Sequence, residues 1–261
     1  MDDGFVPIGP RRAFEGAVEQ IAERIRHGEL VEGDRLPSER DLARAMRISR
    51  PTLREAVRVL ADSGVLTVKP GAGGGITVAS GYVPLDLLKA KSDLRLGEVG
   101  GVLEARRMLE PRVAQLAALN GRDMDFQRMQ ATIDAHKALL AEGDVLEHED
   151  RFLQLDTQFH LHMAHATGNS TVVSLMRTLF RRLEIGRDLA VRQKPIPEWV
   201  IDVHERTLAA IRSGDYQRID AVMDEHLAGM ERAWEREADR ALVRDVPDFL
   251  RPVADRGTST P

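Results

Sequence analysis

The run Pro70-Gly71-Ala72-Gly73-Gly74-Gly75 constrains this chain more than any other stretch, because no helix can continue through it. Gly81 and Pro84 interrupt the chain again soon after. Three short helical patterns precede the run, and long amphipathic segments with few breakers follow it. The division predicts a small N-terminal domain over residues 11–79, a linker over 80–96 and a helical domain over 97–243. Residues 1–10 and 244–261 read as flexible ends. No stretch reaches the ~20 apolar residues a membrane span needs. Met1-Asp2-Asp3-Gly4 is acidic where a secretion signal is basic, so the expected location is the cytoplasm, with no membrane partner.

In the N-terminal part, Phe14, Val18, Ile21, Ala22 and Ile25 recur at helical spacing before Gly28. Ser38 is placed to cap a second helix, with Asp41 three residues on and Leu42, Ala43 and Met46 on its inner face. Ser49 is placed to cap a third, with Pro51 in its first turn and Leu53, Ala56, Val57 and Leu60 facing inward. Leu66-Thr67-Val68 and Ile76-Thr77-Val78 are β-rich runs on either side of the glycines, which predicts a hairpin with a glycine tip.

Three helices, a tight second-to-third connection and a hairpin outline a winged helix-turn-helix, whose third helix enters the DNA major groove by its N-terminal residues. Those residues are Ser49, Arg50, Thr52 and Arg54. Arginine matches guanine in a bidentate way, and serine or threonine donates to phosphates or bases. The net charge of −5 argues against nucleic acid only as an average. Seven arginines lie between Arg35 and Arg58, against only Glu39, Asp41 and Glu55. Residues 1–80 balance at 12 basic and 12 acidic side chains, so the whole deficit lies beyond them. The plainer alternative is a solvated, arginine-rich face on an ordinary small domain.

Beyond residue 96, apolar spacing predicts about six helices, near 97–119, 122–142, 145–167, 170–190, 197–213 and 215–242. Short connections between them predict an all-α antiparallel bundle, so the fold class is mainly α. Some polar residues sit where apolar ones are called for. Asp156 shares a face with Phe152, Phe159 and Met163, and His160 is one turn further on. His204 lies between Val200 and Leu208, and His226 between Val222 and Met230. An inward carboxylate is costly unless paired or coordinated. One Asp and three His supply four N/O ligands, and with no cysteine in the chain any metal must use such residues. Zinc fits first, with nickel, manganese and iron also compatible. The alternative is three core histidines, each with its own partner. Arg106 shares a face with Val102, Leu109 and Val113, so its fork faces a carboxylate or phosphate: a bound organic acid, or an inward Glu104 or Glu110. Arg107 is expected to face solvent, His27 and His136 to lie on helix surfaces, His148 to begin a charged turn, and His165 to stand behind the ligands at most.

Leu36-Pro37-Ser38-Glu39-Arg40-Asp41-Leu42-Ala43, Ile48-Ser49-Arg50-Pro51-Thr52-Leu53-Arg54-Glu55-Ala56, Leu60, Gly64-Val65-Leu66 and the glycine wing resemble the GntR family of bacterial transcription regulators. The resemblance implies Arg40, Arg50 and Arg54 as main DNA contacts, assisted by Ser49, Thr52 and Gly73. Glu104-Ala105-Arg106-Arg107-Met108-Leu109-Glu110, Asp156-Thr157-Gln158-Phe159-His160, Gly168-Asn169, His204 and Glu225-His226-Leu227 resemble the FCD effector domain of the FadR subfamily. That implies Asp156, His160, His204 and His226 as metal ligands, Arg106 and Asn169 near an effector, and a carboxylate such as a hydroxy acid or sugar acid as the effector. The expected function is a metabolite-responsive repressor, a homodimer that reads a palindromic operator. Two rivals are a metal-dependent hydrolase, which lacks an HExxH spacing or a nucleophile elbow, and a bundle with a purely structural metal.

Overall fold

The structure, a computed structural model, describes residues 10–71, 74–88, 96–143, 148–187, 197–238 and 241–243. Gly73, the expected flexible ends (apart from Pro10) and residues 89–95 of the expected linker lie outside the described residues. The chain divides into two compact units, Met1–Lys89 and Ala90–Pro261.

The first unit contains α1 (Pro10–Arg26), α2 (Glu39–Ala45), α3 (Arg50–Asp62), β1 (Leu66–Lys69) and β2 (Gly75–Val78). Gly28 and Gly64, at φ 72° and 77°, take the left-handed conformation that ends α1 and α3. Ser38 Oγ accepts the Asp41 amide at 3.3 Å, and Ser49 Oγ accepts the Thr52 amide at 3.2 Å, so both serines cap their helices. The strands pair antiparallel from Leu66↔Val78 to Lys69↔Gly75. Val18, Ile21, Ile25, Leu53, Leu60, Leu66 and Ile76 fill the core between helices and hairpin. Val83 joins that core, with Leu87 and Leu88 packed on it from around a short 3-10 turn, Leu85–Leu87. The buried Arg26 donates to the Val83 carbonyl at 2.6 Å, so the segment after the hairpin starts as a packed wall of this unit. His27, expected on a surface, is buried: its amide donates to the Glu23 carbonyl at 2.8 Å, so it continues the last turn of α1 beside the buried Ile25 and Arg26.

The second unit contains six helices among its described residues: α4 (Leu96–Asn120), α5 (Asp123–Ala141), α6 (Glu149–Ala166), α7 (Ser170–Arg187), α8 (Pro197–Ser213) and α9 (Tyr216–Ala238). α5/α6, α6/α7 and α8/α9 are packed pairs joined by short connections, which makes them antiparallel hairpins. α6 packs on α4, α5 and α7, while α4 also packs on α7, α8 and α9. Ile133, Phe159, Met163, Met176, Phe180, Leu208 and Met223 form the main core. No described helix is long and apolar enough to cross a membrane.

Candidate functional site

Two sites emerge, one in each unit. In the first, Arg40, Arg44, Arg47, Arg50, Arg54 and Arg58 are all exposed on or beside α2 and α3. Arg54 reaches Glu39 at 3.0 and 3.3 Å, and Arg44 reaches Asp41 at 3.3 Å. Exposed pairs like these contribute little to stability, so a phosphate or a guanine edge can take the arginines over. The Ser49 and Thr52 hydroxyls lie 2.7 Å apart at the start of α3.

In the second unit, the bundle brings Asp156 and His160 of α6, His204 of α8 and His226 of α9 together. One ligand atom from each lies within 4.8 Å of all the others. His204 Nε2 is 3.4 Å from Asp156 Oδ1. Both ring nitrogens of His204 and the Nδ1 of His226 are buried with no hydrogen-bond partner, a costly arrangement that a cation at their centre would relieve. Zinc–ligand bonds of ~2.0–2.2 Å would require the ligand atoms to close in by less than about an ångström. Burial pushes His204 down to about 4 and His226 well below its ordinary value, so both present free lone pairs at neutral pH. Burial alone would raise the Asp156 carboxyl. The nearby His204 and His160 rings and the Arg106 charge outweigh it and hold Asp156 well below the usual carboxylate range. Phe159 stacks on the His204 ring at 4.0 Å and fixes its plane. The donor set therefore fits a divalent cation.

Around this set lies a second layer. Arg106 is buried and paired through Nε with Glu110, its guanidinium 4.4 Å over the Phe180 ring and its Nη2 3.5 Å from His160 Nε2. The inward glutamate weighed as Arg106's partner is thus present. Arg107, expected in solvent, is instead buried and forked onto Glu231 at 2.5 and 2.9 Å, with Asp224 on its other side. α4 packs on α6, α7 and α9, so its buried face is wide enough to take in both Arg106 and Arg107, and its solvent stripe falls at Gly101, Met108 and Arg112. His136, expected on a helix surface, is fully buried. Its Nε2–H donates to the Phe152 carbonyl at 3.0 Å, and its ring lies 5.7 Å from that of His204. Asn169 is exposed, and its Oδ1 accepts the amides of Thr171 and Val172 at 3.0 and 3.3 Å. That cap on α7 accounts for Asn169 without an effector.

Comparison with known proteins places both units. The model described as bacterial regulatory proteins, gntR family, matches residues 14–76, and the FCD domain model matches residues 101–229. The chain is similar to the Uxu operon transcriptional regulator of Escherichia coli (strain K12), 30% identical over 209 residues that cover 77% of this chain and 78% of the relative. The chain belongs to the GntR family. It is also similar to the HTH-type transcriptional regulator LutR of Bacillus subtilis (strain 168), at 29% identity over 79% of this chain and 94% of the relative. The HTH-type transcriptional repressor NanR of Cronobacter sakazakii is 24% identical, over 89% of each chain.

As a GntR-family protein with an FCD domain, the chain is a DNA-binding transcription regulator and not an enzyme. The GntR match runs from within α1 through α2, α3 and β1 to the start of β2; the FCD match runs from α4 into α9. Within that FCD domain, all six helices contribute a side chain to the buried polar set or its wall. His136 from α5 and Phe180 from α7 are the two that sequence reasoning missed. For His136 a signal was present, since Met129, Ile133, His136 and Leu140 follow helical spacing. Phe180 carried no mark that set it apart from core.

Proposed function

We propose that this GntR-family chain is a cytoplasmic repressor that binds a palindromic operator as a homodimer. In this reading, Asp156, His160, His204 and His226 hold a divalent cation, zinc first, and a small carboxylate bound there changes the operator affinity. The observation that carries it is the convergence of buried imidazoles without partners on one aspartate. Charge supports a carboxylate as the ligand. Arg106, Glu110 and Asp156 leave one negative charge in a buried cluster. A divalent cation turns that into one positive charge, and a single carboxylate restores neutrality where burial makes net charge expensive. Arg106 Nη2, beside His160, stands within reach of an anion bound to that cation. One recognition helix, α3, offers few base contacts, which favours two copies reading two half-sites. Arg40, Arg50 and Arg54 are the proposed main contacts, with Ser49, Thr52 and Gly73 assisting.

Elemental analysis of the purified chain tests the ligand set. About one divalent cation per chain is expected, with His204→Ala falling well below that. Equal metal content in wild type and His204→Ala contradicts the assignment.

A further inference from the structure

The cluster holds one carboxylate that the four ligands leave unexplained. Glu110 on α4 is completely buried, and Arg106 engages only its Oε1. Its Oε2 lies 2.7 Å from His160 Nδ1 without forming a hydrogen bond there, and neither atom has another partner. A bare carboxylate oxygen beside a bare imidazole nitrogen, both out of water, is costly unless a proton joins them. At 2.7 Å a proton on Nδ1 lies within donating distance of Oε2 and would satisfy both atoms. With Nδ1 so engaged, Nε2 is the nitrogen left facing the cluster, where Arg106 Nη2 lies 3.5 Å away.

We propose that Glu110 is the positioning residue of the metal centre: it accepts the Nδ1 proton of His160, fixes the tautomer that offers Nε2 to the cation, and is itself neutralised by Arg106. This rests on the four-ligand reading above. Imidazoles that bind metals commonly donate their other N–H to a carboxylate, which sets the ring's orientation and raises its basicity. Here the carboxylate is carried by a different helix from any ligand. α4 therefore joins the centre without touching the ion, and Arg106, one turn before Glu110, is tied to the same device. The adjacent Phe180 ring, 5.1 Å from that of His160 and below the Arg106 guanidinium, restricts how far either can swing.

The test uses the full chain, zinc competition against a chromophoric chelator, and the visible absorption of the cobalt-substituted protein. Two variants are compared with wild type: Glu110→Gln, whose amide oxygen can still accept from Nδ1, and the double variant Arg106→Met with Glu110→Met. The double variant replaces a buried ion pair by apolar side chains of similar reach, an exchange that proteins often tolerate. With all four ligands kept, one zinc per chain is expected throughout. Affinity should fall roughly 10–100-fold in the double variant and less in Glu110→Gln, and the cobalt bands of the double variant should shift. A folded double variant with wild-type zinc affinity and wild-type cobalt bands overturns the proposal. If its thermal melt shows that it does not fold, Glu110→Gln decides, and unchanged affinity and bands there overturn it equally. A wild type that binds neither zinc nor cobalt, or a His204→Ala that binds as tightly as wild type, breaks the four-ligand reading instead.

Discussion

Arg106 and Arg107 are neighbours in sequence that point into different parts of the protein interior. On a helix they lie about 100° apart, so Arg106 turns toward the buried histidines and Arg107 toward α9. Arg107 lies at 6% side-chain exposure against Glu231 at 9%. Removing one partner of such a pair leaves an uncompensated buried charge, which typically costs about 3–5 kcal/mol. Arg107→Ala should therefore lower the unfolding free energy by about 3 kcal/mol in urea denaturation; a loss below about 1 kcal/mol would mean the pair is solvated. Arg54 is the opposite case, because its pair with Glu39 is exposed. Arg54→Ala should leave the thermal melt unchanged while weakening operator binding on the order of tenfold or more in a gel-shift assay. Unaltered operator affinity would remove Arg54 from the DNA-reading set.

At the scale of elements, the turn between α2 and α3 contains the one described residue other than glycine at positive φ, Arg47 at 53°. The left-handed conformation costs an ordinary residue roughly 1–2 kcal/mol, and glycine's extra freedom in the unfolded chain offsets part of any relief. Arg47→Gly should raise stability by up to about 1 kcal/mol in chemical denaturation; a lower stability would mean that its side chain makes a needed contact. Sequence shows no mark of this strain, since the turn has no glycine to announce it. The caps at Ser38 and Ser49 and the inner faces of α1, α2 and α3 were legible, because local hydrogen bonding and periodicity determine them. In the second unit, α6, α8 and α9 each present one apolar face broken by a polar residue, so Asp156, His160, His204 and His226 could be picked out. α4 could not be read this way. Its buried face is wide, taking in Val102, Leu103, Arg106, Arg107, Glu110 and Ala114, and its exposed stripe at Gly101, Met108 and Arg112 includes an apolar side chain, so polarity alone does not show which arginine faces inward. α4 also runs unbroken through Pro111, where tertiary packing overrides a strong helix breaker.

Across the whole molecule, opposite charge problems are separated by unit. Arg40, Arg44, Arg47, Arg50, Arg54 and Arg58 of the first unit are exposed on or beside α2 and α3, which suits exchange with a polyanion. The second unit buries imidazoles that must stay neutral. Burial holds His136, His204 and His226 below their ordinary values. Unfolded imidazoles titrate near 6.5, so below that pH the unfolded chain binds more protons than the folded one and stability falls. The protein freed of metal should lose stability steadily from about pH 6.5 toward the His204 value of about 4, followed by denaturation at successive pH values. A flat profile across that window would mean the rings are charged and paired when folded.

The most direct test of a regulator that senses carboxylates through a metal is operator affinity measured by fluorescence anisotropy. It is measured with the acid from a panel of hydroxy acids and sugar acids that gives the largest thermal shift, on protein loaded with zinc and on protein stripped by a chelator. The expected result is a change in affinity of roughly 5–150-fold on adding the acid to loaded protein, and a change smaller than twofold in stripped protein. An equal response in both forms, or none in either for every acid on the panel, would contradict it.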